Sequence, residues 1–429
     1  MIYLESFMTA EISRFYIKFF HLFSFYFSIL LLFRCGINMS FLYLRNMKYA
    51  LTNCEVFTGD KNLYNQSVLI ENEHITGIVH DNEIPSDFEI VDLHGLNIAP
   101  GFIDLQVNGG GGEFFTQSPN TSCLDAMYNA YKRYGTTHIC PTVITTHEEN
   151  ILETLDATKS AMKNEKWGIL GMHLEGPFIN STKKGTHNVN NIRKPSIKEL
   201  QRILNNAEDA LKIITIAPEN FGDKELALLK ESNAIISAGH TFANYEQAMY
   251  GFNNGVTMVT HLFNAMSQFS SREPGVVGAT FDSENVYAGI IVDGLHCDYS
   301  SVRTAKKVLG EKLFLVSDSM SFVGAKTNKL IIEGTEITFK DGRCINSNGD
   351  FAGTSLTMLE AVQNAVNNVG IELREALRMA SLYPAQSVNL AHELGRIKEG
   401  YRADLVIFNN KIDVKGVVSY GNLEMFSSK

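Results

Sequence analysis

Ala234-Ile-Ile-Ser-Ala-Gly-His240 and Val256-Thr-Met-Val-Thr-His261 decide how this chain is read. Each is a short apolar run that closes on a histidine, and short apolar runs bounded by turn residues form buried strands. Between them Tyr245–Asn253 carries its apolar residues at helical spacing. The same alternation extends outward in both directions. Strand-like runs fall near 102–108, 136–142, 168–175, 213–217, 234–240, 256–261, 287–292 and 313–318. Helical spacing recurs at Cys123–Tyr134, Ile151–Asn164, Ile197–Asn206 and Val302–Leu309. Eight strands alternating with helices predict an α/β chain folded as a (β/α)8 TIM-type barrel, which typically occupies ~250 residues. A doubly wound sheet would announce a glycine-rich phosphate turn after its first strand. The glycines of Asn108-Gly-Gly-Gly-Gly112 lack that spacing. They read either as a flexible loop that lets backbone approach a ligand or as a plain turn.

The ends of the chain have a different texture. From Met47 to Ala99 the runs are short, alternating and turn-rich, and the pattern returns in Gly395-Arg-Ile-Lys-Glu-Gly400 and Ala403-Asp-Leu-Val-Ile-Phe408. Residues 47–99 and 395–429 are therefore expected to build one small β-sandwich domain around a barrel of residues 100–394. An alternating segment at 330–346 reads as a hairpin turning at Lys340-Asp-Gly342, and it can join that domain. Helices are expected at Ser355–Val369 and Leu373–Leu382. Residues 1–46 stand apart. Phe19–Phe33 is almost wholly apolar and aromatic, yet its 15 residues fall short of the ~20 that a membrane span needs. A dispensable extension, an anchor and a signal segment all remain open, and membrane attachment depends on this segment alone. No small-residue cleavage site follows it cleanly, and Met47 reads like a natural chain start.

At 429 residues, with 45% hydrophobic and 20% charged residues, the composition is that of a folded globular protein. A net charge of −10 gives no support to a nucleic-acid partner, although a local basic pocket could still hold an anionic substrate. The six cysteines form no CxxC pair, which suits free thiols in a reducing compartment and a cytoplasmic location.

Barrel enzymes place their chemistry at the C-terminal ends of the strands. In order those ends carry Gln106 and Asn108, Thr142, His173 and Glu175, Glu219, His240, His261, Asp293 and His296, and Asp318. Taken singly, His240 or His261 is as well explained by a satisfied strand-end histidine as by a ligand. Together, on consecutive strands, they can face one mouth, and with Glu175 they supply the N,N,O set of a catalytic metal. Asp318 can accept a proton from an activated water or merely cap the next segment. His138, inside a strand, reads as structural.

These residues resemble the N-acetylglucosamine-6-phosphate deacetylases of the amidohydrolase superfamily, from Met47 to about Ile412. The resemblance rests on Pro100-Gly-Phe-Ile-Asp-Leu-Gln-Val-Asn-Gly109, Gly171-Met-His-Leu-Glu-Gly-Pro-Phe178, Lys184-Gly-Thr-His-Asn188 and Ser237-Ala-Gly-His-Thr241. It continues in Thr260-His-Leu-Phe-Asn-Ala-Met266, Arg272-Glu-Pro-Gly275, Asp293-Gly-Leu-His296, Val316-Ser-Asp318 and Ser355-Leu-Thr-Met358. It implies Glu175, His240 and His261 as metal ligands, Asp318 as the catalytic acid/base and His187 as the donor to the acetamide carbonyl. It also implies a sugar-phosphate site of Asn264, Arg272, His296 and the backbone of Ala265. The implied reaction is deacetylation of N-acetylglucosamine 6-phosphate in amino-sugar breakdown, and the implied assembly is a homodimer. Many amidohydrolases carry His-x-His after the first strand, where this chain has Gln106-Val-Asn108. Neutral amides are poor zinc ligands beside imidazole, so one divalent ion is expected, zinc foremost, with iron, cobalt or manganese as alternatives. Dipeptidase-like or dihydroorotase-like hydrolysis, and a silent structural relative, are the competing readings.

Overall fold

The computed structural model describes residues 48–163, 168–332, 334–340, 342–346, 349 and 352–427. The expectations for residues 1–46 lie outside the described residues.

Eight parallel strands form one sheet in strict chain order: Phe102–Val107, Thr136–Ile144, Met172–Glu175, Leu211–Ile216, Ile235–Ala238, Val256–Val259, Tyr287–Ile290 and Leu313–Leu315. A parallel bridge between Val107 and Ser319 and the bond from Asp318 N–H to the Gln106 carbonyl link the last strand to the first. The sheet thus curls into the expected barrel, with helices between most strands. Four of them, Thr121–Lys132, Glu148–Met162, Ile197–Ala207 and Tyr299–Leu309, fall where helical spacing places them, and Tyr245–Asn253 matches to the residue. Two of the helices between barrel strands had no sequence-based expectation. Asp223–Lys230 has only eight residues and begins at a Gly222 whose N–H is capped by Glu225. Gly275–Asp282 is small and apolar on nearly all sides and is almost entirely buried, so it shows no amphipathic stripe to read.

The barrel interior carries an unusual polar layer. His173 Nδ1 donates across to the Leu105 carbonyl (3.1 Å), and its Nε2 meets Thr215 Oγ1 (2.7 Å), which in turn meets Thr260 Oγ1 (2.7 Å) and, through it, Ser237 (2.6 Å). Leu105 and His173 belong to the first and third strands, so this contact runs through the interior. Burial pushes the His173 imidazole down to about 4, so it stays neutral and structural.

Both ends of the described residues enter a second sheet of eight strands. Lys48–Phe57 pairs with Gln66–Glu71 on one side and in parallel with Glu89–Pro100 on the other. Glu89–Pro100 continues into Leu405–Phe408, Val414–Ser419 and Asn422–Met425. Residues from both ends share one apolar cluster that includes Leu51, Val68, Ile98, Leu405 and Val418. Among the described residues, the segment Lys329–Asn346 pairs within itself as a three-stranded sheet and makes no ladder with the terminal sheet. Its Ile337 and Cys344 pack with Phe114, Ile144 and Met320, beside the barrel mouth.

The glycine run is a packed turn, not a flexible loop. Gly109–Gly110 pairs with Glu113–Phe114, and the Gly111 and Gly112 amides donate to the Val323 and Ser321 carbonyls. A Cβ on Gly109 would lie 2.3 Å from the Glu113 carbonyl oxygen, and one on Gly110 2.7 Å from the Tyr131 ring. The glycines serve close packing of the first strand's loop against the last.

Candidate metal centre

Glu175 ends the third strand, His240 and His261 follow the fifth and sixth, and Asp318 follows the eighth. The three imidazole and carboxylate groups meet at one point. Glu175 Oε1 lies 3.1 Å from His240 Nε2 and 3.0 Å from His261 Nε2, and the two nitrogens are 3.0 Å apart. All three are buried. His240 Nδ1 is 2.8 Å from the Lys183 carbonyl, which can only accept, so Nδ1 holds the ring proton and Nε2 presents a lone pair. Three acceptor atoms in mutual contact thus share at most the one proton that His261 can offer. A cation in their midst removes the conflict, and two imidazole nitrogens with one carboxylate oxygen suit zinc. Burial alone would raise the Glu175 carboxyl, but its contacts with His240 and His261 outweigh that and hold it well below the usual range.

The strand ends are strained where the site needs aim. His240, His261 and Asp318 have φ of 47°, 35° and 51°, in the left-handed region that non-glycine residues avoid. Such conformations persist only where the surroundings over-determine them, and they gather at functional sites. Here Glu219 supplies part of the determination. Its carboxylate accepts from the Phe242 amide (2.7 Å), Thr241 Oγ1 (2.5 Å) and Asn180 Nδ2 (2.9 Å), and so ties the loop after the third strand to the chain beyond His240.

Gln106 and Asn108 stand next to Asp318 because the first and eighth strands are joined there. Gln106 Nε2 donates to both Glu175 Oε1 (3.0 Å) and Asp318 Oδ1 (3.1 Å), and Asn108 Nδ2 donates to Asp318 Oδ1 (2.8 Å). With two carboxylates as neighbours, the amide groups must turn their nitrogens inward. Burial, then the charge of Glu175, pushes the Asp318 carboxyl up to about 6.

His187 packs its ring against His240 with centroids 4.3 Å apart. Glu175, His187 and His240 also present ligand atoms within 4.8 Å of one another, so His187 competes geometrically with His261 for a place in the ligand set. Burial, and then His240, holds the His187 pKa well below its ordinary value, so the ring is neutral.

The remaining expected residues lie further out. Asn264 Nδ2 donates to the Leu262 carbonyl (3.3 Å) and to Cys297 Sγ (3.5 Å), which brings it beside His296. His296 Nδ1 meets Asp293 Oδ2 at 2.6 Å. Ala265 has φ of 49° and its carbonyl accepts from the Thr241 amide. Arg272 is exposed on the loop before helix Gly275–Asp282, and no contact joins it to the central cluster among the described residues. His138 is structural: its Nε2 lies 2.9 Å from Arg402 Nη2 and 3.5 Å from Asp404. Sequence reading assigned no role to Thr145 or to the clamp made by Glu219. Only the strand-end position of Glu219 pointed to it.

Residues 97–423 match the amidohydrolase family, and residues 48–98 match the NagA composite domain. The chain is 39% identical over 378 residues to N-acetylglucosamine-6-phosphate deacetylase of Haemophilus influenzae, covering 87% of this chain and 99% of the relative. It is 38% identical over 335 residues to N-acetylgalactosamine-6-phosphate deacetylase of a Shewanella species, covering 76% of this chain and 82% of the relative. The crystal structure of N-acetylglucosamine-6-phosphate deacetylase from Pasteurella multocida superposes with a TM-score of 0.86 at 37% identity, covering 89% of this chain and all of the other. By sequence and by fold alike, the chain belongs to the amidohydrolase family, among the N-acetylglucosamine-6-phosphate deacetylases.

Proposed function

We propose that this chain hydrolyses the N-acetyl group of N-acetylglucosamine 6-phosphate, giving glucosamine 6-phosphate and acetate. The observation that carries this reading is the meeting of Glu175, His240 and His261 beside Asp318 at the strand ends, in a chain whose relatives bear that activity in their names. The family is metal-dependent, and Glu175, His240 and His261 would hold one divalent cation, zinc foremost, which acidifies water and polarises a carbonyl. Two observations favour a single ion. The amide nitrogens of Gln106 and Asn108 face the carboxylates as donors, and a donor nitrogen is no ligand.

Asp318 is the proton carrier. Its Oδ1 is engaged by two amide donors, which leaves Oδ2 to take a proton from the attacking water and return it to the departing amine. His187 donates to the acetamide oxygen as negative charge develops there, and such a donor is worth roughly 3 kcal/mol. Asn264, the Ala265 backbone, His296 and Arg272 bind the sugar phosphate, with the Arg272 guanidinium matched to a phosphate by two parallel hydrogen bonds. A homodimer in which one copy completes the other's phosphate site is implied by the family resemblance alone. Among the described residues, the five cysteines are buried and free, which supports a reducing, cytoplasmic setting. No helix among the described residues is long and apolar enough to cross a membrane.

The test is acetate release by the purified full-length chain, with metal analysis of the same sample. N-acetylglucosamine 6-phosphate, its galacto epimer, the unphosphorylated sugar and a dipeptide are compared. The reading expects the gluco phosphate to lead and the unphosphorylated sugar to fail. A preference for the galacto epimer would reassign the substrate, and turnover of the dipeptide alone would overturn the reading.

A further inference from the structure

Thr145 follows Ile144 at the C-terminal end of the second barrel strand and is fully buried. Its backbone N–H donates to Nδ1 of His187 at 3.3 Å, and its hydroxyl lies 2.7 Å from the same nitrogen. A backbone amide can only donate, so Nδ1 carries a lone pair, and the hydroxyl facing that lone pair donates as well. A neutral imidazole has one ring proton, which must then sit on Nε2. The arrangement is built tightly. A Cβ on Gly176 would lie 2.3 Å from Thr145 Oγ1, so a side chain there would push the hydroxyl off the imidazole. Gly176 also has φ of 88°, which favours glycine on its own account.

A ring that ligates through Nε2 keeps its proton on Nδ1, as His240 does toward the Lys183 carbonyl. His187 has the opposite pattern, since a proton on Nδ1 would oppose the Thr145 amide.

We propose that Thr145 is a positioning residue that fixes His187 in its Nε2–H form, making it a hydrogen-bond donor to the substrate and keeping it out of the metal's ligand set. The catalytic half of this statement rests on the deacetylase reading; the tautomer half does not.

The experiment compares Thr145→Val and Thr145→Ser with the native full-length protein, each also in a His187→Ala background. Thr145→Val is expected to lower kcat about tenfold to a hundredfold, with KM and metal content close to native, and Thr145→Ser to retain activity. In the His187→Ala background Thr145→Val should cost nothing further, because a residue acting through a partner is not additive with its loss. An equal fractional loss in both backgrounds overturns the positioning role, as does a fall in metal content on Thr145→Val. Histidine-selective 15N NMR reads the tautomer without any turnover: Nε2–H in the native protein supports the assignment and Nδ1–H overturns it. Unchanged turnover in His187→Ala would instead remove the catalytic reading of His187, leaving the NMR to judge the tautomer by itself.

Discussion

At the scale of single residues, the proton carrier is the most exposed part of the reading to experiment. Replacing Asp318 by Asn leaves both amide donors of Gln106 and Asn108 with an oxygen to meet, but removes the group that accepts a proton. We expect metal content to be unchanged and kcat to fall by about 10²–10⁴-fold, measured as acetate release against metal stoichiometry in one sample. The pH profile follows from the same residue. A base must be ionised to act, so activity is lost as pH falls through the Asp318 pKa. Burial, then the charge of Glu175, pushes the Asp318 carboxyl up to about 6, and a neighbouring cation favours the ionised form. The acid limb of kcat/KM should therefore lie at or below about pH 6 and vanish from the residual rate of Asp318→Asn.

Among elements, the loops after the third and fifth strands do what no single ligand can. His240 sits at φ 47° and is gripped from two sides, by the Lys183 carbonyl at its ring and by the Asn180 amide at its own carbonyl. Glu219 joins those loops through three hydrogen bonds. Outer partners of this kind typically change metal affinity by about 10–100-fold when removed. Glu219→Ala should weaken metal binding by that order in a competition titration while leaving Glu175, His240 and His261 in place. Affinity equal to native would show that the loops hold themselves. The glycine turn offers a contrasting case. Gly109→Ala forces a Cβ against the Glu113 carbonyl, and overpacking costs typically about 1–3 kcal/mol, to be read as a lowered denaturant midpoint.

In the molecule as a whole, the barrel and the terminal sheet are joined by a buried charge cluster. Arg402 Nε meets Asp404 Oδ2 at 3.1 Å, its Nη2 reaches His138, and its guanidinium lies over Tyr420, 4.1 Å from the ring centroid. Removing one member leaves an uncompensated buried charge, which costs about 3–5 kcal/mol. Arg402→Ala should lower stability by that amount in chemical unfolding without changing the metal stoichiometry of the protein that remains folded. The metal site acts in the opposite sense. An ion that binds only the native state stabilises it, so chelation should both abolish activity and lower Tm, with recovery of each on adding zinc.

The barrel and its ligand set were legible in the sequence because both are periodic. Strand and helix alternate at fixed spacing, and a barrel puts every strand's end at one mouth, so position gathered Glu175, His240, His261 and Asp318 with seven other polar strand-end residues, and the family resemblance singled them out. The substitution of Gln106 and Asn108 for histidine was equally plain, as a departure from pattern. What those amides do was not, because their donors point at Asp318, 212 and 210 residues away, across the seam where the eighth strand meets the first. Thr145 was silent, and Glu219 was marked only by its strand-end position, for the same reason: a threonine or glutamate there is ordinary until folding sets it against His187 or beyond His240. The glycine run left a loop and a turn equally open, since sequence cannot tell a glycine needed for freedom from one needed for closeness. Local periodicity thus determined the scaffold and which residues lie at the strand ends. Only tertiary contacts between distant strands decided which proton each side chain carries, because a tautomer is set by the partner it meets in space.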